Sequence, residues 1–134
     1  MTFDLDKLIR LHNEARSKSW WTLKPLSRDE RLMLYAQAWA ETMARRNRMV
    51  HSSMSDVMAL GYSRVAENIA WNQRTEEAVM NAWLWSPGHR WNLMGSGVNM
   101  IGCGVADAGQ GPYWCVVFGR PRAARYTWRP RWKA

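Results

Sequence analysis

Cysteine is scarce in this chain: 134 residues hold only Cys103 and Cys115, too few for a disulfide scaffold and without the paired spacing of a structural zinc site. Long apolar runs are missing too, so no segment reads as a transmembrane helix. The stretch from Met1 to Leu11 carries Asp4 and Asp6 and lacks the apolar core of a secretory leader, so no signal peptide is expected in the sequence given. There is no Gly-x-Gly-x-x-Gly, no Gly-Lys-Ser/Thr and no Gly-x-Ser-x-Gly. These absences remove a dinucleotide fold, a P-loop and a hydrolase nucleophile elbow from consideration. Acidic residues are the minority, 11 against 19 basic, for a net charge of +8, yet the imbalance is local. Residues 1–119 hold 13 Lys and Arg against all 11 acids, while residues 120–134 hold six basic residues and no acid.

Hydrophobic residues make up 47% of the chain, enough for the core of a single domain at this length. Ten tryptophans are a heavy load, and such rings either fill a core or line an interface. Leu5, Leu8, Ile9, His12 and Ala15 recur at helical spacing, which predicts an amphipathic helix from about Asp4 to Ser17 with His12 on its inner stripe. Pro25 makes the following Trp20–Leu26 segment extended or turning. Ser27 with Glu30 reads as a capping box, opening the longest helix with Leu32, Tyr35, Ala36, Trp39, Ala40 and Met43 on one face. His51 lies just beyond the basic end of that helix. Ser55 to Leu60, closed by Gly61, reads as a short helix. In Val65–Trp71 a carboxylate, Glu67, interrupts an otherwise apolar run, and a buried Glu is rare unless paired. Asn99–Ala106 and Tyr113–Arg120 read as strands joined by a loop with Gly109, Gly111 and Pro112. Symmetry about Gly109 would set Cys103 opposite Cys115, leaving either a strained cross-strand bond or two free buried thiols. Helices first and a hairpin last predict an α+β fold, a small antiparallel sheet covered by helices.

The stretch Ala82–Met94 is the organising one. Thr75 is a good N-cap, Glu76 and Glu77 suit a first turn, and a helix burying Val79, Ala82 and Trp83 must stop at Pro87. Ser86 and Pro87 then read as N-cap and first residue of a second, short helix, with His89 in its first turn. A ring there is disfavoured as imidazolium by the positive helix end, and a neutral ring is what a metal ligand or a general base needs. Packing or capping is the alternative role for the same histidine.

Taken together, Leu11-His12-Asn13-Glu14-Ala15-Arg16, Pro25-Leu26, Val50-His51-Ser52, Glu67-Asn68-Ile69-Ala70, Trp83-x-x-Ser86-Pro87-Gly88-His89-Arg90-x-Asn92-Leu93, Ile101-Gly102-Cys103-Gly104 and Tyr113-Trp114 resemble the CAP superfamily, also called SCP-like, in its short bacterial form. The superfamily groups cysteine-rich secretory proteins, insect antigen 5 and plant pathogenesis-related proteins. The resemblance, which spans roughly residues 5–119, implies an α-β-α sandwich for a domain at 1–119; residues 120–134, basic, Trp- and Arg-rich, broken by Pro121 and Pro130 and without a clean period, read as an extended arm. The resemblance also implies a cleft in which His51, His89 and Glu67 converge as metal ligands or catalytic groups, the metal being divalent, commonly zinc. Two imidazoles and a carboxylate would leave a position for a water that zinc acidifies. The chain departs from the pattern in that Trp83 is followed by Leu84-Trp85-Ser86, where many eukaryotic members carry a second Glu. Ala66 also stands where a glycine is common.

Three functions are open at this point. One is a metal-dependent hydrolase of peptidoglycan or peptides, with His51 and His89 as ligands and Glu67 as base. The second is a module that holds a cell-wall polymer or small ligand in the cleft without turnover. The third is a part of a larger assembly, such as a phage particle, joined through residues 120–134 to protein or to an anionic surface. Members of the superfamily are usually extracellular; release by phage would suit a chain with no leader. Nucleic acid is disfavoured, since no recognised nucleic-acid fold accompanies the basic tail.

Overall fold

In a computed structural model, which describes residues 2–21 and 23–123, four strands and five helices are interspersed along the chain. Helix α1 (Leu5–Ser17) leads through β1 (Ser27–Arg28) to α2 (Glu30–Arg46) and α3 (Met54–Ala59). Strand β2 (Tyr62–Trp71) precedes α4 (Glu76–Leu84) and α5 (Pro87–Leu93), and β3 (Met100–Asp107) and β4 (Pro112–Pro121) close the fold. The sheet order is β1-β3-β4-β2. β2 and β3 each run antiparallel to β4, and the two-residue β1 pairs parallel with β3.

Side-chain alternation along the central strand β4 divides the core in two. Trp114, Val116 and Phe118 face a cluster with Leu8, Val79, Trp83 and Leu93, supplied by α1, α4 and α5. Tyr113, Cys115 and Val117 face Leu32, Ala36, Ala40, Met43 and Val57, supplied by α2 and α3. Helices therefore cover both faces, the expected α-β-α sandwich. The hairpin forms as expected, but its register pairs Cys103 with Val116 and Gly104 with Cys115. That offset of one residue puts the two cysteines on opposite faces, and both are free and buried. A one-residue slip reverses every facing, which is why symmetry about Gly109 gave the wrong partner.

The caps explain the helix ends. Asp4 opens α1 by accepting from Lys7 N at 3.0 Å, and Thr75 opens α4 by accepting from Ala78 N at 3.0 Å. The expected Ser27 cap of α2 is instead Asp29, whose Oδ1 accepts from Arg31 N at 2.9 Å and Leu32 N at 3.2 Å. Ser27 is drawn into β1, donating its N–H to Asn99 O at 2.9 Å. At its C-terminal end β4 extends to Pro121, and Arg122 N donates to Gly61 O at 2.9 Å. Residues 124–134, most of the expected arm, lie outside the described residues.

The His12–Arg16 segment is a structural pin. Asn13 exchanges two hydrogen bonds with Leu26, 3.0 Å to its O and 2.7 Å from its N. His12 is fully buried between Trp83 and Phe118, with Nδ1 at 2.8 Å from Leu8 O. Its Nε2 finds no partner among the described residues. Burial, with a smaller push from Arg16 one turn away, lowers its pKa to about 4. A His whose folded pKa lies below its unfolded value takes up its proton first in the unfolded chain. Stability from this group is therefore complete above about pH 6.5, falls between 6.5 and 4, and is level below. The loss should approach about 3 kcal/mol. Urea unfolding at neutral pH and near pH 4.5 should show this slope, and His12→Leu should flatten it; an unchanged slope in that variant would place the acid sensitivity elsewhere.

Candidate functional site

The site forms at the edge strand β2, where consecutive residues reach opposite faces of the sheet. Glu67 points toward the α2 and α3 side and Asn68 toward the α5 side. Glu67 is the carboxylate that sequence reasoning singled out, with its side chain only 2% exposed. Its Oε1 accepts from His51 Nδ1 and from Ser52 N, both at 2.9 Å. Its Oε2 accepts from the Ser52 hydroxyl and, at 3.7 Å, from the Cys115 thiol. The loop between α2 and α3 is thus fastened to the strand by one buried side chain, and the cost of burying that carboxylate is offset by its donors. Because Oε1 already accepts a backbone N–H, the His51 contact is a ring N–H donation, which leaves Nε2 as the nitrogen with a lone pair.

His89 comes from the other side. Ser86 and Pro87 open α5 as expected, but Ser86 makes no side-chain bond to the helix backbone. Its hydroxyl lies instead 2.9 Å from His89 Nδ1. Asn68 donates to His89 O at 3.0 Å, while Asn92 donates to Asn68 Oδ1 at 2.9 Å and more weakly to Glu67 O at 3.3 Å. Two adjacent strand residues therefore tether both histidine-bearing segments. The His89 pKa is lowered, first by burial and then by the nearness of His51. The cause differs from the helix-end effect read from sequence, though the direction agrees. Among the described residues neither Nε2 has a protein partner.

The site is open. His51 has 61% of its side chain exposed, and none of five surface depressions of about 410–480 Å³ includes His51, Glu67 or His89. Among the described residues no group of three or more His, Cys, Asp or Glu is arranged to hold a metal ion. Burial and then Glu67 raise the Cys115 thiol well above its usual range, so it stands as a donor to the carboxylate and not as a thiolate ligand.

Sequence reasoning singled out His51, Glu67 and His89 as candidates but not the hydrogen bonds that Ser52, Asn68, Ser86 and Asn92 make around them. Asn68 and Asn92 could have been found from the motif: a Glu-Asn pair in a strand must address two faces at once. Ser86 was read as a cap, and only the three-dimensional arrangement shows its hydroxyl turned to the ring.

The model of the CAP, cysteine-rich secretory protein family, matches residues 9–118. The chain belongs to this family. The Bacillus subtilis (strain 168) protein YkwD is 35% identical over 111 residues, 77% of this chain and 42% of that protein. The chain therefore spans less than half of that relative's length. An outer surface protein from Borrelia burgdorferi superposes with a TM-score of 0.80 at 21% identity, covering 88% of this chain and 92% of that one. An extracellular protein containing a SCP domain from Bacillus anthracis str. Ames gives 0.73 at 25% identity, covering 86% and 39%. At 21% identity the Borrelia likeness speaks for the fold alone. Among the described residues of this CAP domain no helix is long and apolar enough to cross a membrane.

Proposed function

We propose that this CAP domain is a ligand-binding module whose His51 and His89 hold a divalent metal, with zinc the best fit. The observation that carries the reading is that each Nδ1 is tied to an oxygen from behind, Glu67 for His51 and Ser86 for His89, while neither Nε2 has a protein partner among the described residues. Metal-ligating histidines are oriented in this manner, the backing partner setting tautomer and basicity. Two imidazoles supply only half of a tetrahedral set, so the remaining positions would go to water or to oxygen atoms of a bound ligand. A bound metal would supply Lewis acidity to that ligand. The open setting suits cell-wall material or another oxygen-rich ligand, and the extracellular description of the similar Bacillus anthracis SCP-domain protein supports a place outside the cytoplasm.

Binding is favoured over turnover because Glu67 has both oxygens committed, to His51, Ser52 and Cys115. A general base needs an oxygen within reach of the proton it removes. The second Glu that could have shared the work is absent. In this reading Glu67 positions His51 and does not act on a ligand directly.

Calorimetric titration of metal-free protein with zinc should show one site, lost in His51→Ala and in His89→Ala. Glu67→Gln should weaken it by about 10–100-fold without removing it. Parent-like binding in both histidine variants would place the metal elsewhere. Zinc-loaded protein incubated with purified peptidoglycan should release no defined fragments by mass spectrometry; rapid release that stops in Glu67→Gln would make this an enzyme.

A further inference from the structure

Eight of the ten tryptophans fall among the described residues, and they divide cleanly by where their indole N–H goes. Trp39, Trp71, Trp83 and Trp114 each donate Nε1–H to a backbone oxygen, of Val50, Gln110, Ile69 and Gln73 respectively. Trp20, Trp21, Trp85 and Trp91 make no such bond among the described residues, and they are 91%, 42%, 87% and 82% exposed. These four are neighbours. Trp20 and Trp21 stand edge to face with ring centroids 5.2 Å apart. Trp21 lines a depression of about 480 Å³ with Trp91, Pro87, Met94 and Arg90. Pro87 and Arg90 also line a second, of the same volume, with Trp85 and Leu84. The result is one continuous apolar face spanning α5, the α4–α5 corner and the turn after α1, with Arg90 at its centre.

Three features select the partner. Indoles left this exposed are costly in water, and a ring with an apolar body and one N–H donor is suited to the boundary between hydrocarbon and lipid headgroups. Apart from the indoles, the polar side chains described in the Trp21–Trp91 depression are Arg90 and Ser96; among the described residues it has no side-chain amide or carboxylate with which to hold the hydroxyls of a sugar. The local charge is positive. The acids on the adjoining rim, Glu14 and Glu77, are paired with Lys18 and Lys7, while Arg90 has no ion pair among the described residues. An anionic headgroup complements that charge.

We propose that this tryptophan face docks on an anionic lipid bilayer, with Trp20, Trp85 and Trp91 entering the headgroup region and Arg90 meeting lipid phosphate. The metal-binding reading is independent of this surface: α5 turns His89 toward β2 and leaves Arg90 and Trp91 on the exposed side. Docking would hold the histidine site close to a membrane.

The test is co-sedimentation of the full chain with vesicles of phosphatidylcholine containing about a third phosphatidylglycerol, at low salt and at about 0.5 M salt, where charge attraction is screened but indole insertion persists. The parent should bind in both. The Trp85→Ser/Trp91→Ser double variant should lose more than about tenfold in partitioning at low salt and all detectable binding at high salt. Arg90→Gln should lose about fivefold at low salt. Both variants alter exposed residues, so their melting curves and zinc titrations should match the parent. A parent that fails to bind vesicles, or a double variant that binds them like the parent, overturns the proposal. So does a double variant that loses binding to purified peptidoglycan while keeping binding to vesicles, which would make the face a glycan platform.

Discussion

Replacing Gly104 with alanine should destabilise the domain by more than about 4 kcal/mol, and Gly102→Ala should do the same. A Cβ at Gly102 would lie 2.1 Å from the carbonyl carbon of Leu32, and one at Gly104 would lie 2.4 Å from both N and Cα of Gln37. These obstacles are backbone atoms of α2, so no rotamer change relieves them. The helix would have to lift from β3, parting Leu32, Ala36 and Ala40 from Val117 and Cys115. It would also break the pair of bonds by which Gln37 serves β3 as a substitute strand, Nε2 to Val105 O at 2.9 Å and Oε1 from Val105 N at 3.0 Å. Ordinary overpacking costs about 1–3 kcal/mol because side chains can adjust; here a whole helix is displaced. Against a total stability of about 5–15 kcal/mol, either change should leave little folded protein at moderate urea. Gly88→Ala is the matched control, since a Cβ there meets nothing within 4 Å and should be neutral or slightly stabilising in α5. Urea midpoints of Gly102→Ala and Gly104→Ala close to that of Gly88→Ala would mean that α2 yields more easily than the packing implies.

The two glycines show what the sequence could and could not convey. Their spacing within Ile101–Gly104 was visible as a motif, but nothing local says that a helix some seventy residues earlier presses on them. Local signals were read well where physics is local. The helix periodicities, the Thr75 cap, the Ser86-Pro87 start of α5 and the glycine loop of the hairpin all stand in the structure. Errors came where a long-range partner decided the outcome. Ser27 lost its capping role because Asn99 offered it a strand bond, and Cys103 missed Cys115 because pairing across β3 and β4 was set by the whole ladder and not by the loop's centre. The candidate residues could be picked from the sequence, but not the contacts they make. A carboxylate within an apolar run announced that Glu67 had partners, yet only the fold brings His51 and Ser52 to it, and only the edge position of β2 lets Glu67 and Asn68 work on opposite faces of one sheet.

Arg16 should prove the most sensitive charged residue, and its loss should reach the histidine site without any contact to it. Arg16 is 1% exposed, and among the described residues its guanidinium bonds only to carbonyls: Lys24 O at 2.8 and 3.1 Å, Leu93 O at 3.1 Å and Gly95 O at 2.8 Å. Burial lowers its pKa from the ordinary arginine value, but an arginine stays charged, and its forked donors match three oxygens on two chain segments. Arg16→Met keeps the packing volume and strands those carbonyls, each costing about 1–3 kcal/mol when buried without a donor. A total loss of about 3–5 kcal/mol is expected in urea unfolding. Lysine cannot span both segments with one ammonium, so Arg16→Lys should recover less than half of it. The carbonyls of Leu93 and Gly95 lie at the C-terminal end of α5, the helix that carries His89 at its start. Freed from Arg16, that helix keeps on its polar side, among the described residues, the bonds of Asn68 and Asn92, and the ring loses its fixed aim. Zinc affinity should therefore fall about tenfold in Arg16→Lys under conditions where that variant is still folded, as for loss of a partner that orients a ligand. A folded Arg16→Lys protein with parent-like zinc binding would separate the pin from the site and confine Arg16 to stability.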